Sequence, residues 1–195
     1  MFILTIMNLK KVIAIRYASI RPLDISNGEG VGVSLFVQGC HFHCENCFNQ
    51  STWDFNGGKE WTEDNENKFF KLIDRPHIKR VSILGGEPLA DENTSEVLKI
   101  CKQIRLLFGD TKSIWLYTGY TWNEVFDKVG CIYQQNFSTD KILRREIIKR
   151  CDVLVDGRYL DKLKDQSYAY AGSTNQRVID VKSSLKKGQI VLWNK

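Results

Sequence analysis

Three cysteines at C-x3-C-x2-C spacing, Cys40, Cys44 and Cys47, constrain this chain more than any other feature. They lie in Gly39-Cys40-His41-Phe42-His43-Cys44-Glu45-Asn46-Cys47-Phe48, directly after an apolar run (Val33, Leu35, Phe36, Val37) that predicts a buried strand. A strand that ends in a cysteine loop sets soft thiolates at the edge of a sheet. Thiolates so close in sequence bind an iron–sulfur cluster or zinc. No fourth cysteine follows within ~50 residues, whereas closed thiolate sites take four ligands. A four-iron cluster on three cysteines keeps one iron open, which points to catalysis. Zinc completed by His41 or His43 is the alternative, although zinc sites favour paired C-x2-C spacings.

At 195 residues and 43% hydrophobic, the chain suits one domain, 1–195, with a proper core. Its longest apolar run is well short of the ~20 residues that span a bilayer. Phe2-Ile3-Leu4-Thr5-Ile6-Met7 is too short for a signal h-region and has no basic stretch before it. A soluble cytoplasmic protein is expected, with no membrane partner. Six cysteines with one tight trio fit a reducing compartment better than a disulfide framework. The net charge of +5 is scattered, so no nucleic-acid partner is expected. Cys101, Cys131 and Cys151 stand apart from the trio and read as structural.

Along the chain, strand and helix patterns alternate. Ile13 to Ile20 reads as a strand stopped by Pro22, and Gly32 to Gln38 as the first core strand. Thr62, followed by Glu63 and Asp64, predicts a helix N-terminus, with Phe69, Phe70, Leu72 and Ile73 on its buried face. Lys79 to Leu84 reads as a strand ending at Gly85-Gly86-Glu87-Pro88. Asn93 to Phe108 is the clearest helix, with Val97, Cys101, Ile104 and Phe108 in one stripe and Gly109 at its C′ position. Strands follow at Ile114 to Tyr117 and Asp152 to Val155, with helices expected over Trp122 to Val129 and Thr139 to Arg150. Tyr159 to Gly172 is irregular, and Gln176 to Val181 and Ile190 to Trp193 read as late strands.

This alternation predicts an α/β fold with a parallel sheet. A closed eight-stranded barrel needs about 200–250 residues, so a partial, open (β/α) barrel of four to six β-α units is expected. The cysteine loop, Gly85 to Pro88, Thr118 to Tyr120 and Asp156-Gly157 each follow a strand. They should gather at the carboxyl end of the sheet, where such folds place their sites.

The trio followed by G-G-E-P after the next strand resembles the radical S-adenosylmethionine (SAM) superfamily. Further stretches (Asn27 to Gly30, Cys47 to Trp53, Tyr117 to Tyr120, Leu154 to Gly157 and Gly172 to Arg177) resemble the activating enzymes of glycyl-radical enzymes, in the right order. The likeness is greatest to the activating proteins of anaerobic (class III) ribonucleoside-triphosphate reductases and covers about residues 17–182.

The resemblance implies a fold of the radical SAM type, with one [4Fe–4S] cluster held by Cys40, Cys44 and Cys47 and SAM on its open iron. Gly85, Gly86 and Glu87 would receive the methionine end, glycines letting backbone approach closely. Asn46, Cys47 and Phe48 would lie against the cofactor. Asn46 stands where an aromatic residue is usual in the superfamily, and Phe48 where Tyr is common. The chemistry implied is reductive cleavage of SAM to a 5′-deoxyadenosyl radical, which takes hydrogen from a glycine Cα of the reductase. An external low-potential donor such as a flavodoxin or ferredoxin would supply the electron. Trp53, Tyr120 and residues 159–175 are the expected rim for that protein substrate, and Asp156 reads as a strand-end turn residue.

Overall fold

A computed structural model describes residues 15–126 and 139–194. The lead-in before Ile13, Cys131 and the end of the helix expected from Trp122 to Val129 lie outside the described residues. In chain order the elements are β1 (Arg16–Asp24), β2 (Gly32–Val37), β3 (Lys59–Glu60), α1 (Glu63–Ile73), β4 (Arg80–Gly85), α2 (Asp91–Phe108), β5 (Ser113–Tyr117), α3 (Trp122–Phe126), α4 (Thr139–Ile148), β6 (Val153–Asp156), β7 (Arg177–Asp180) and α5 (Val181–Lys187). The strands form one mixed sheet in the order β3-β1-β2-β4-β5-β6-β7, which does not close on itself. No helix among the described residues is long and apolar enough to cross a membrane.

The parallel sheet expected from the alternation is found only in the middle, where β2, β4, β5 and β6 run parallel. Both flanks are antiparallel: β1 pairs with β2 and β3, and β7 with β6. The physical reason is connection length. Only residues 25–31 join β1 to β2, too few for a crossover. Between β6 and β7 there is a single 3-10 turn (Asp161–Leu163) and otherwise irregular chain, so no helix carries the chain across.

Strand alternation sorts the sheet into two faces. Val33, Leu35, Val81, Ile83, Ile114, Leu116 and Leu154 face the helices and form the main core with Phe69, Ile73, Val97, Ile104 and Ile147. The opposite face carries the cross-strand row Ser34, Ser82, Trp115 and Val153, and beyond it Phe36, Tyr117 and Val155. Trp115 there is closed over by Tyr170 and Trp193. Water is kept from this second face by loops rather than helices.

Local rules explain the helices. The Thr62 hydroxyl accepts from Asn65 N at 3.3 Å, the cap foreseen in the sequence. Val97, Cys101 and Ile104 are fully buried, and Gly109 takes φ 56° with its N–H on the Arg105 carbonyl. Two expectations near the C-terminus need correction. The strand expected through Val181 stops at Asp180, whose carboxylate accepts from Ser183 N at 2.8 Å and starts α5. Ile190 to Trp193 makes one isolated bridge to β7, through Leu192 and Ile179, rather than a full strand.

Candidate functional site

β2 delivers the chain to the cysteine loop, and a backbone clamp closes that loop at its base. Gly39 N donates to Thr52 O at 2.8 Å and Cys40 N to Trp53 O at 3.0 Å. The buried Gln38 side chain donates to the carbonyls of Ser51 (3.1 Å) and Asp54 (2.8 Å). Gly39 takes φ 93°, and a Cβ there would stand 2.0 Å from the Phe55 ring, so only glycine fits. The ten-residue excursion is anchored at its sides by two aromatic contacts: Phe42 on Tyr120 (4.9 Å) and Phe48 on Tyr159 (5.0 Å).

The loop after β4 lies against that clamp, backbone on backbone. Gly86 N donates to Val37 O at 2.8 Å and Glu87 N to Gly39 O at 2.7 Å. A Cβ on Gly86 would sit 2.4 Å from the Gly39 carbonyl oxygen. The close approach that Gly86 permits is therefore first to the cysteine loop itself. Asn93, buried at the start of α2, ties the two loops together by donating to Gln38 O (3.0 Å) and Glu87 O (2.9 Å).

Glu87 is buried, and its carboxylate is fully engaged. It accepts from Leu89 N (2.8 Å), the Thr118 hydroxyl (2.7 Å) and Gly119 N (2.7 Å), which locks the loop after β4 to the loop after β5. Burial pushes its pKa up to about 7, and the three donors offset that only in part. The folded chain therefore holds this proton more tightly than the unfolded one. The stability that this supplies is complete below pH ~4.5 and is lost as the pH rises through about 7. In denaturation of the metal-free, reduced chain, the wild type should lose roughly 2–3 kcal/mol relative to Glu87→Gln across that window. Parallel pH profiles for the two proteins would show that Glu87 does not carry the effect.

Cys40, Cys44, Cys47, Phe48, Gly85, Gly86 and Glu87 all line one cavity of about 530 Å³, within the ~300–1,000 Å³ of cofactor clefts. Asn46 is not among its lining residues; its side chain turns outward and donates to Asp161 at 2.8 Å. Trp53 and several residues from the 159–175 segment, Tyr159 and Tyr170 included, also line it, whereas Tyr120 does not. Asp156 is buried under a two-point ion pair with Arg177 (2.9 and 2.5 Å) and accepts from Trp122 N, so it is structural as expected.

The cavity carries the soft donors that an iron–sulfur cluster takes, three thiols on one loop. Among the described residues, no three His, Cys, Asp or Glu side chains converge as a single metal ion requires. His41 is exposed, pairs with Glu92 at 2.9 Å and packs on Phe55, while His43 is exposed and stacks on Trp53 at 4.6 Å. Burial pushes the Cys40 thiol up to about 11 and raises Cys44, so a metal bound by these sulfurs would have to displace their protons. Asn49 N donates to Cys47 Sγ at 3.4 Å, a bond of the kind that tunes cluster potential. Tyr117 also lines the cavity, and its buried hydroxyl has no partner among the described residues, a donor that a ligand would satisfy.

Comparison with known proteins decides the family. Residues 26–179 match the model of the 4Fe-4S single cluster domain. The chain is 34% identical to the anaerobic ribonucleoside-triphosphate reductase-activating protein of Vibrio cholerae over 162 residues, 82% of this chain and 94% of that one. It is 34% identical to the protein of the same name from Escherichia coli K12, over 83% of this chain and 96% of that one. The phage T4 protein of that name is 32% identical over 83% and 92%. The chain belongs to the anaerobic ribonucleoside-triphosphate reductase-activating protein family.

In this family member, several residues that hold the site carry no motif of their own. Gln38, Asn93 and Arg80 are buried polar side chains in apolar surroundings. Their one signal in the sequence is a polar residue in or beside a strand or helix pattern. That marks a buried hydrogen bond without saying to what.

Proposed function

We propose that this chain is a radical SAM enzyme that activates an anaerobic ribonucleoside-triphosphate reductase by installing a glycyl radical on it. The observation that carries the proposal is convergence: three thiols, the Gly85–Glu87 loop and the unpartnered Tyr117 hydroxyl line one cavity at the carboxyl ends of parallel strands. The open sheet corresponds in this reading to a partial barrel of the radical SAM type. Cys40, Cys44 and Cys47 would hold a [4Fe–4S] cluster, and Gly85, Gly86 and Glu87, with Cys47, Phe48 and Asn46 nearby, would receive SAM. The cluster and SAM, when bound, supply one-electron cleavage of the sulfonium and abstraction of a hydrogen atom from a glycine Cα.

The protein's share is geometric. The Gly39–Thr52 and Gly86–Val37 backbone bonds fix the cysteine loop against the SAM loop. Glu87 holds the β5 loop to the same block, so three strand ends move as one. Phe36, Leu84 and Phe48 give the cavity apolar walls that exclude water from reactive species. An external flavodoxin or ferredoxin is the proposed electron donor and the cytoplasm the proposed location. The test is anaerobic: reconstituted protein, SAM, reductant and the full-length reductase, read by electron paramagnetic resonance. A glycyl radical on the reductase is expected; a loaded cluster that cleaves SAM yet leaves no such radical would refute the proposal.

A further inference from the structure

The thiol-lined cavity adjoins a second, more open groove of about 620 Å³, and Gly119, Gly157 and Arg158 border both. The floor at the junction is main chain. Gly157 N donates to Tyr120 O at 3.2 Å, and Thr118 N to Val155 O at 3.0 Å. Of the two junction glycines only Gly157 borders open space, because the Phe42 ring lies where a Cβ on Gly119 would stand 2.4 Å from it. At Gly157, φ is 99° and a Cβ would find no atom nearer than 3.8 Å, so the space beside it is open. Arg158 stands at the border, its guanidinium over the Phe42 ring at 4.5 Å and 3.8 Å from Glu124.

Beyond the junction the groove is walled by Thr121, Asn123 and Glu124 on one side and by Leu160 and Asn175 on the other. Asn123 is exposed at the start of α3, and its amide bonds to none of the described residues. These walls offer both donors and acceptors, as a peptide backbone needs, beside the apolar surface of Leu160.

We propose that this groove seats an extended, glycine-containing segment of the substrate protein and leads its target glycine past Gly119 and Gly157 to the thiol-lined cavity. The inference rests on the function proposed above. A glycine inside a polypeptide has chain on both sides, so the site must have a path by which that chain leaves. The bare backbone at Gly157 admits main chain where a side chain would block it. The polar walls satisfy the peptide groups that binding removes from water.

The test uses the full chain with its cluster reconstituted, the full-length reductase, SAM and reductant. Asn123→Trp fills the groove and should lower glycyl radical formed per 5′-deoxyadenosine by about tenfold or more, at unchanged iron content. Leu106→Trp, at an 84% exposed position on α2, should keep the wild-type ratio. A photo-crosslinking residue at position 123 should form adducts within a few residues of the target glycine, and one at 106 should not. A wild-type ratio in Asn123→Trp, or adducts mapping elsewhere on the reductase, would overturn the groove assignment while leaving the proposed function standing. No glycyl radical even with the wild-type chain would instead remove the proposed function, and this inference with it.

Discussion

Alanine in place of Cys40, Cys44 or Cys47 is expected to abolish retention of the iron–sulfur cluster and, with it, all SAM cleavage. The three thiols line one cavity, on a loop braced by main-chain bonds that do not depend on the sulfur atoms. Each variant should therefore fold and purify without its brown colour. Cys101 and Cys151 are the controls. Both are fully buried in the main core, and Cys151 donates to Ile147 O at 3.4 Å. Alanine there removes packed atoms and should cost about 1–2 kcal/mol of stability while leaving the cluster intact. Iron and sulfide per chain, measured on all five variants, separate the two groups. Full iron in Cys44→Ala would defeat the ligand assignment, and cluster loss in Cys101→Ala at normal stability would extend it.

How much of this was legible in the sequence depends on the range of the interaction. The central strands and α2 were readable because their buried faces repeat at fixed spacing: Val33, Leu35 and Val37 on a strand, Val97, Cys101 and Ile104 on a helix. The cysteine and G-G-E-P loops were readable as motifs following strands. Beyond Ile20, by contrast, β1 was hidden by Pro22, which reads as a break. In the structure β3 covers only Arg16 and Tyr17, so farther out β1 is an edge, and the register shift between Arg21 and Asp24 accommodates the proline. The two-residue β3 has no periodicity to detect. The antiparallel flanks were hidden for another reason: helix-strand alternation reports on the middle of the chain and is silent about its ends.

Within the site, the thiols and glycines were legible and their braces were not. Glu87 shows the difference. The motif marks it as a cofactor-loop residue, yet its carboxylate joins that loop to Thr118 and Gly119, thirty-odd positions onward. Asn46 shows the converse: its side chain is engaged with Asp161, so contact with the cofactor would fall to its main chain, which its place in the motif does not tell. Spacing identifies which residues arrive at a strand end. It does not say which way a polar side chain turns once there, because that depends on partners brought by other strands.

Arg80 carries the largest stability effect expected outside the ligands. Its side chain is fully buried at the start of β4, on the sheet face that the helices do not cover. It donates to the carbonyls of Asp24 (2.6 Å) and Glu29 (3.3 Å), and also to Asn27 O and the Ser82 hydroxyl. The Asp24 carboxylate lies 3.6 Å away and is itself held by Ser26 N (2.8 Å) and Asn27 N (2.9 Å). One guanidinium thus organises the whole connection from β1 to β2, with Gly28 pressed so close that a Cβ would meet Arg80 at 2.6 Å. Ser26 and Asn27, on the same connection, line the thiol cavity, so this packing reaches the site. Arg80→Met keeps much of the volume but strands a buried carboxylate and several carbonyls, at an expected cost of about 3–5 kcal/mol. Arg80→Lys keeps the charge without the planar fork and should recover only part of that loss. Urea denaturation of the three proteins measures it. If Arg80→Met lies within about 1 kcal/mol of the wild type, the buried network is not what holds the 24–30 connection in place.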